Sequence, residues 1–378
     1  MGSTVRILSA ETIDSLVWPD TAHARSLKEY LVPLMRSGPK HFIDNADVTM
    51  LSLLLDDEVL PLVVGDGKRG NSCVCSFYSH YVDYAWRELG KVGNLLARWT
   101  LRTGLALLGV LLRICRIDRF VCLNNWLWTT NPCPRLSSQQ VAAVTAHLVE
   151  NFPDRVIVFR SVNRTWHEPF LDALLDNGYF AVASRKIYLL DAAGRGGTLK
   201  HNLSEDLDLL EDSPYAVIGN DELSEADIPR ITALYRGLYL GKYPQWNPQF
   251  NEKFFELVVK GGMLECRALR RQARIDAFVI FHVRDGIMIP PGIGYDLGLP
   301  RDLGLYRQMV ALLIREAGKR GVLMNMSAGA GEFKEHRGGV PTVEFDVVYD
   351  AHLPLYRRIP WRFLRFFFSP GMIKKFHD

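Results

Sequence analysis

Apolar residues recur along this chain in two rhythms, short near-continuous runs and stretches with apolar positions three and four apart, and the two alternate. The N-terminal part begins with a strand-like segment at 4–7 and a helical pattern at 22–35, closed by Ser37-Gly38-Pro39. Runs at 49–54 and 59–64, joined through Asp56-Asp57-Glu58, predict a hairpin. From Arg119 onward the pattern predicts strand 120–128, helix 137–150, strand 155–160, helix 167–177 and strand 179–190. Asn131-Pro132 and Pro134 end the first of these strands, and Ser137 or Ser138 caps the helix that follows. Residues 191–197, Asp-Ala-Ala-Gly-Arg-Gly-Gly, have linker composition. Helical patterns at 203–210 and 222–240 come next, the second with Ile228, Ile231, Leu234, Tyr235 and Leu238 on one face. A strand at 287–295, a helix carrying Met309, Leu312, Leu313 and Ala317, and a strand at 322–327 complete the pattern. The β-α-β-α-β order of 119–190 is echoed by 262–348, although no residue-level repeat aligns. The fold expected is mixed α/β, with one half at 1–197, a second at 198–350 and a tail at 351–378.

One stretch fits neither rhythm. Residues 95–115 are the most apolar in the chain, yet only ten uncharged residues separate Arg102 from Arg113. That is short of the ~20 a bilayer-spanning helix needs. Three environments satisfy such a helix: the core, the wall of an acyl-chain tunnel, or a membrane surface with arginines at the headgroups and Trp99 dipping inward. The tail poses the same choice. Between residues 356 and 378, Arg357, Arg358, Arg362, Arg365, Lys374 and Lys375 are interleaved with Trp361, Phe363, Phe366, Phe367 and Phe368. A membrane surface, the acidic helix of an acyl carrier protein, or simple packing onto the domain all remain open for it.

Composition narrows the classes. Hydrophobic residues make up 48% and charged residues 23% of the 378, ordinary for a globular chain long enough for two domains. A net charge of +3 gives no case for DNA binding and does not demand tRNA. Cys73, Cys75, Cys115, Cys122, Cys133 and Cys266 have no metal-ligand or secreted spacing, so no metal is expected and the thiols are read as reduced. The first residues lack a cationic start followed by an apolar core, so no signal peptide is read and the cytoplasm is expected, with peripheral contact at the inner membrane face open.

The candidate chemistry centres on residues 287–330. There an apolar strand turns into a helix through Leu299-Pro300-Arg301-Asp302-Leu303-Gly304-Leu305-Tyr306. A strand-to-helix turn leaves unpaired N–H groups at the positive end of a helix dipole, a seat for a pyrophosphate. Arg301 adds a fixed charge, and Gly304 allows close approach. Arg301-x-x-Gly304-x-Tyr306 resembles the (Gln/Arg)-x-x-Gly-x-(Gly/Ala) loop of the GNAT acyltransferase superfamily, departing from it at Tyr306. With the echoed halves, the chain is similar to the tandem-GNAT proteins, which include the FemAB-type aminoacyltransferases. The first half has no such turn, since 130–136 reads Thr-Asn-Pro-Cys-Pro-Arg-Leu, and is read as a degenerate half that shapes the acceptor pocket.

That resemblance implies two GNAT-like halves, each a mixed, mostly antiparallel sheet flanked by helices. It implies an acyl-CoA or acyl-carrier-protein phosphopantetheine thioester as co-substrate, held by Arg301, Asp302, Leu303, Gly304, Leu305 and Tyr306, and transfer to a small-molecule amine. Carried over by position, Asp296 supplies a backbone N–H to the acyl oxygen and is the nearest carboxylate to act as base, with Tyr295 beside it. His282 is the alternative base. The tyrosine that protonates the leaving thiolate in many members is missing from 327–339, leaving Ser327 or Tyr306. Phe333-Lys334 resembles the Phe/Tyr-Lys pair of FemAB-type proteins, and Lys334 and Arg337 are candidates for an acceptor carboxylate or donor phosphates. Tyr239, Tyr243 and Trp246 are candidate acceptor-lining residues, as are Tyr78 and Tyr81 in the polar-aromatic segment 71–84. The reading is a GNAT-type N-acyltransferase acting by direct attack. The alternatives are an aminoacyl-tRNA-dependent FemAB-like transferase and a non-catalytic scaffold that kept the fold.

Overall fold

The computed structural model of the chain describes residues 3–91, 93–192, 201–240 and 246–368 and is built on one twelve-stranded sheet. The first half supplies β1 (Val5–Leu8), α1 (Ala22–Ser37), β2 (Thr49–Leu55), β3 (Glu58–Asp66), α2 (Tyr84–Glu88) and α3 (Leu95–Ile114). It continues with β4 (Arg119–Leu123), α4 (Ser138–Asn151), β5 (Val156–Asn163), α5 (Arg164–Asp176) and β6 (Phe180–Asp191). The second half opens with α6 (His201–Glu211), β7 (Ala216–Ile218), α7 (Ile228–Tyr239), α8 (Glu252–Lys260), β8 (Glu265–Arg271) and β9 (Arg274–Arg284). There follow β10 (Ile287–Tyr295), α9 (Leu305–Arg320), β11 (Leu323–Asn325), α10 (Gly331–Glu335) and β12 (Val340–Tyr349), and α11 (Leu355–Phe367) comes last. The linker-like residues 193–197, Tyr243, Lys374 and Lys375 lie outside the described residues.

Two pairs of parallel strands organise the sheet. β4 runs beside β5 from Phe120–Val156 to Leu123–Phe159, and β10 runs beside β11 only at Ile287–Leu323 and Met288–Met324. All other neighbours are antiparallel, in the order β1-β2-β3-β4-β5-β12-β6-β11-β10-β9-β8-β7. The sheet is therefore mixed and mostly antiparallel, as expected. The two halves also exchange their last strands: β12 lies between β5 and β6, and β6 pairs with β11. The order is symmetric about the β12–β6 seam, so β4-α4-β5-α5-β6 and β10-α9-β11-α10-β12 correspond.

Helices cover both faces. α4 and α5 pack on the first half through Val141, Val144, Leu148, Phe170 and Leu174, and α6 and α9 pack on the second through Leu203, Leu210, Met309 and Leu313. The opposite face of both halves shares one core containing α1, α7, α8 and the indoles of Trp126 and Trp128. β5 is buried at every position, which explains its continuous apolar run. Local signals behave as the sequence predicts at α4, where Ser137 and Gln140 form a reciprocal cap.

The strand expected over 120–128 stops at Leu123. Asn124 and Leu127 take left-handed backbone angles (φ 58° and 63°), and side-chain amides replace the ladder. Asn124 Oδ1 accepts from the Trp126 indole at 2.8 Å, and Asn125 Nδ2 donates to the Val74 carbonyl at 2.8 Å. The tryptophans are apolar because they fill the core from a loop, not because they lie in a strand.

α6 is clamped to the second half by Asp206, whose fully buried carboxylate accepts from the Nε atoms of both Arg307 on α9 and Arg337 just past α10. Removing one member of a buried ion cluster strands the other charges, at about 3–5 kcal/mol. Asp206→Ala is accordingly expected to lower the free energy of unfolding by that amount, read as a shift in the urea midpoint with unchanged slope.

Candidate functional site

The Arg301 turn does not form the cradle of amides that its motif suggests. Residues 301–303 wind into a short 3-10 turn, so the Leu303 N–H donates to the Pro300 carbonyl (3.3 Å) and the Gly304 N–H to the Arg301 carbonyl (3.0 Å). Gly304 has a φ of 59° because it starts α9, and a Cβ there would lie 2.7 Å from Leu209 Cδ2 of α6. Two of the turn's amides are thus taken by the chain's own carbonyls, and α6 packs against the glycine. Arg301 and Asp302 are exposed, Leu305 is buried in the α9 core, and the Tyr306 ring lies between Tyr295 (5.9 Å) and Phe333 (5.1 Å). The expected donor seat is corrected to a packed helix start.

The expected bases are also placed elsewhere. The Asp296 N–H, expected to meet an acyl oxygen, donates to the Asp276 carbonyl at 2.9 Å. Its carboxylate takes Arg230 Nη2 at 2.7 Å, Arg274, and the Gly298 N–H at 2.9 Å. Burial alone would raise its pKa, but the bond from Arg230, the Gly298 amide and the two guanidinium charges hold it below the usual carboxylate range. A carboxylate so held is a poor proton acceptor. His282 Nδ1 meets the Met263 carbonyl at 2.8 Å, and its ring lies against the stacked pair Trp126 and Trp128. Burial pushes its pKa down to about 4, so the ring is neutral and serves the core. Tyr78 lies against Arg113 of α3 (4.2 Å), and the buried Tyr81 donates to Asp346 Oδ2 at 2.8 Å. Arg337, expected to hold a substrate anion, is taken by Asp206 and stacks on Phe333 at 3.4 Å.

What the fold does assemble is a buried polar cluster where the two halves meet. Glu344 on β12 stands opposite Arg185 on β6 in the ladder, and Arg185 Nε donates to Glu344 Oε2 at 2.6 Å. Arg185 Nη2 also donates to Thr130 Oγ1 at 2.6 Å and to the Thr129 carbonyl. Thr130 Oγ1 and Ser327 Oγ stand 3.5 Å apart, joining the loop after β4 to the loop after β11. The first loop follows the outer strand of one parallel pair and the second the inner strand of the other. Ser327 and Ala330 hold positive φ angles (60° and 49°), backbone strain concentrated at this notch.

Lys334 closes the cluster from α10. It is 5% exposed, and its Nζ donates to the carbonyls of Ser327 (3.0 Å) and Ala328 (2.8 Å), 5.6 Å from the Tyr188 ring. An ammonium has three N–H bonds, so one remains beyond these two carbonyls. Burial, and then the Arg185 charge, lower its pKa to about 7. Glu344 is 1% exposed, and its Oε1 has no hydrogen-bond partner. A buried acceptor left unpaired is costly, and such exceptions mark functional positions. Tyr84 ties the second half's covering loop to this centre: its hydroxyl bonds Asn247 Oδ1, and Arg185 and Tyr239 both act on it electrostatically. Tyr239 stacks on Tyr235 at 4.4 Å, and the half-buried Trp246 accepts the Cys73 N–H on its carbonyl at 2.7 Å.

Of the residues in this cluster the sequence singles out Ser327 and Lys334 as candidates, but not Thr130, Arg185 or Glu344. The available signal was an ionisable residue inside an otherwise apolar strand, Arg185 before Ile187 and Glu344 between Val343 and Phe345. The cluster holds one anion, one strong cation and one tunable cation around an unpaired carboxylate oxygen. It suits the transfer of an acyl group, in which a proton leaves a nucleophile and an oxyanion develops.

Neither a protein-family model nor any curated protein compared matches the sequence. Solved structures do. FemX matches over 94% of this chain and 100% of its own, at 8% identity and a TM-score of 0.52. L-PGS from Bacillus licheniformis matches over 60% of this chain and 78% of its own (14% identity, TM-score 0.45). A GCN5-related N-acetyltransferase from Kribbella flavida matches over 61% and 81% (11% identity, TM-score 0.33). The chain shares its fold with FemX over 94% of its length.

The Lys334 site carries a pH signature in stability. Between its folded pKa of about 7 and the ordinary lysine value of ~10.4, the unfolded chain binds the extra proton. Stability from this site therefore rises as pH increases across that window and is flat on either side. Urea midpoints at pH 7, 8.5 and 10 are expected to show the wild type gaining on Lys334→Met, by on the order of a few kcal/mol over the window.

Proposed function

We propose that the protein is an acyltransferase of FemAB type, moving an aminoacyl group from the ester of a charged tRNA to an amine at the β12–β6 seam. The observation that carries this reading is Lys334, a buried ammonium with two N–H bonds fixed and one remaining, which feels the charge of the Arg185 that holds Glu344. The filled turn at Gly304 argues against a CoA thioester as donor, because its phosphates would find two of the turn amides already bonded. Likeness to FemX over the whole chain supports the same choice of donor class, given the aminoacyl-tRNA chemistry of FemAB-type proteins.

In this reading the acceptor nitrogen attacks the ester carbonyl carbon. The C–N bond forms, the C–O bond to the ribose breaks, and the ribose oxygen leaves as a hydroxyl. Glu344 Oε1 takes the proton the nitrogen sheds and returns it to the departing ribose oxygen, while Arg185 holds the other carboxylate oxygen in place. The remaining N–H of Lys334 meets the oxygen on which negative charge develops, and Thr130 and Ser327 line the notch. Tyr239 and Trp246 lie at the acceptor side, near Tyr84 and Cys73.

The test offers the purified chain charged tRNA carrying a labelled amino acid, and separately acetyl-, octanoyl- and palmitoyl-CoA, each with candidate amines. Transfer from tRNA is expected, with no thiol released from any CoA ester and no gain in thermal stability from CoA. The rate is expected to decline as pH rises through about 7, where Lys334 loses its charge. Lys334→Met is expected to lower kcat by ~10²–10³-fold, the scale of one lost oxyanion donor. Thiol release from a CoA ester would replace the donor assignment, and full activity in Lys334→Met would remove the site.

A further inference from the structure

α3 is a helix turned inside out. Its protein-facing stripe contains Arg98, Arg102, Leu105, Leu108, Gly109 and Leu112, and the Arg102 guanidinium lies over the Trp86 ring at 6.0 Å. Its outward stripe is Leu95, Leu96, Trp99, Leu107, Val110 and Ile114, with Trp99 and Leu107 each 67% exposed. The two outward hydroxyls are withdrawn from solvent chemistry, since Thr100 Oγ1 donates to the Leu96 carbonyl (3.0 Å) and Thr103 Oγ1 to the Trp99 carbonyl (3.1 Å). A water-facing helix places charge outside and leucine inside. The expectation of a core helix is therefore overturned, and no tunnel closes over this face among the described residues.

α11 repeats the theme in three stripes. Arg357, Pro360, Trp361 and Leu364 face the core, Leu355, Ile359, Phe363, Phe366 and Phe367 are exposed, and Arg358, Arg362 and Arg365 form a basic flank. The two helices belong to one surface. Arg357 Nη2 donates to the Arg119 carbonyl (3.0 Å), in the segment just past α3, and Phe77 packs on Trp361 at 4.9 Å beside Tyr78, which meets α3 at Gly109. At the C-terminal end of α3 opens a cleft of about 340 Å³ where Lys68, Arg69, Arg113, Arg116 and Arg119 outnumber Asp66, Asp83 and Asp118, with Arg119 paired to Asp154. Among the described residues Arg69, Arg113 and Arg116 make no ion pair, whereas Asp66 and Lys68 in the same cleft are paired.

We propose that the α3–α11 face is a membrane seat that lies in the plane of an anionic bilayer. Apolar stripes enter the acyl boundary, and the arginines of α11 and of the cleft meet lipid phosphates. At 20 residues α3 is about 30 Å long, enough to cross a bilayer by length alone. Leu105, Leu108 and Leu112 nevertheless fix its other side to the core, so it lies flat. Charge selects lipid over a second copy of the chain, because a twofold contact through this face would bring like arginines together. The seat is also one turn from the polar seam: His80 meets Ser184 at 2.8 Å and Tyr81 meets Asp346, both from the π-helical turn Ser79–Asp83 that lies beside α3.

Full-length protein sedimented with phosphatidylcholine vesicles, and with vesicles containing one quarter phosphatidylglycerol, tests the proposal without any activity readout. Co-sedimentation with the anionic vesicles is expected, weakening with salt and released by alkaline carbonate. The double variant Leu107→Glu/Val110→Glu changes only outward positions, is expected to keep the wild-type circular dichroism and Tm, and should lose at least roughly tenfold in vesicle partition. Arg69→Ala/Arg116→Ala should retain the apolar contact but lose the preference for phosphatidylglycerol. Wild-type protein left in the supernatant, or a double variant that binds as the wild type does, overturns the seat. Resistance to carbonate overturns the flat orientation in favour of a spanning helix. Lipid-independent dimers broken by the double variant, without vesicle binding, assign the face to a second copy.

Discussion

Glu344 and Arg185 face each other across the β12–β6 ladder, at the centre of the single sheet that the two halves of the chain form. Everything distinctive about the molecule depends on that seam. β12 carries two acids inward, and each finds a cation on a neighbouring strand: Arg185 of β6 for Glu344, and Arg160 of β5 for Asp346. Buried ion pairs add little net stability but strongly disfavour misregistered partners. Slipping β12 by one residue would bury both carboxylates without partners, so the exchange of terminal strands is locked in register by charge rather than by apolar packing alone.

The same seam sets the chemistry. Parallel strands part after Leu123 and after Met288–Met324, and the loop after β4 meets the loop after β11. Thr130 comes from one and Ser327 from the other. Lys334 reaches this notch from the short α10 and is kept near neutrality by lost hydration and by the arginine that holds Glu344. A site built this way is continuous with the fold, since the residues that order the sheet also define the electrostatics of the pocket.

The outward face obeys a different constraint. α3 half-buries Arg98 and Arg102 while exposing Leu95, Leu96, Trp99, Leu107 and Ile114, and α11 segregates buried, apolar and basic stripes around the helix. Neither arrangement lowers free energy in water alone. Both are consistent with a surface whose solvent is partly lipid, held against the turn whose Tyr81 hydroxyl reaches Asp346 in the seam.

Periodicity by itself determined the mixed α/β class, the echoed halves, the cap at Ser137 and the placement of α9 after its turn, because these depend on residues a few positions apart. The Phe333-Lys334 pair was legible for the same reason. Tertiary structure alone decided the rest. How much room Gly304 had depended on Leu209, nearly a hundred residues away, and the partners of the Asp296 carboxylate, Arg230 and Arg274, come from other elements. Arg185, Glu344 and Thr130 are unremarkable in sequence and meet only because the last strands are exchanged. The sign of α3, core or surface, was undecidable from composition, since an apolar helix reads alike whichever face the protein covers.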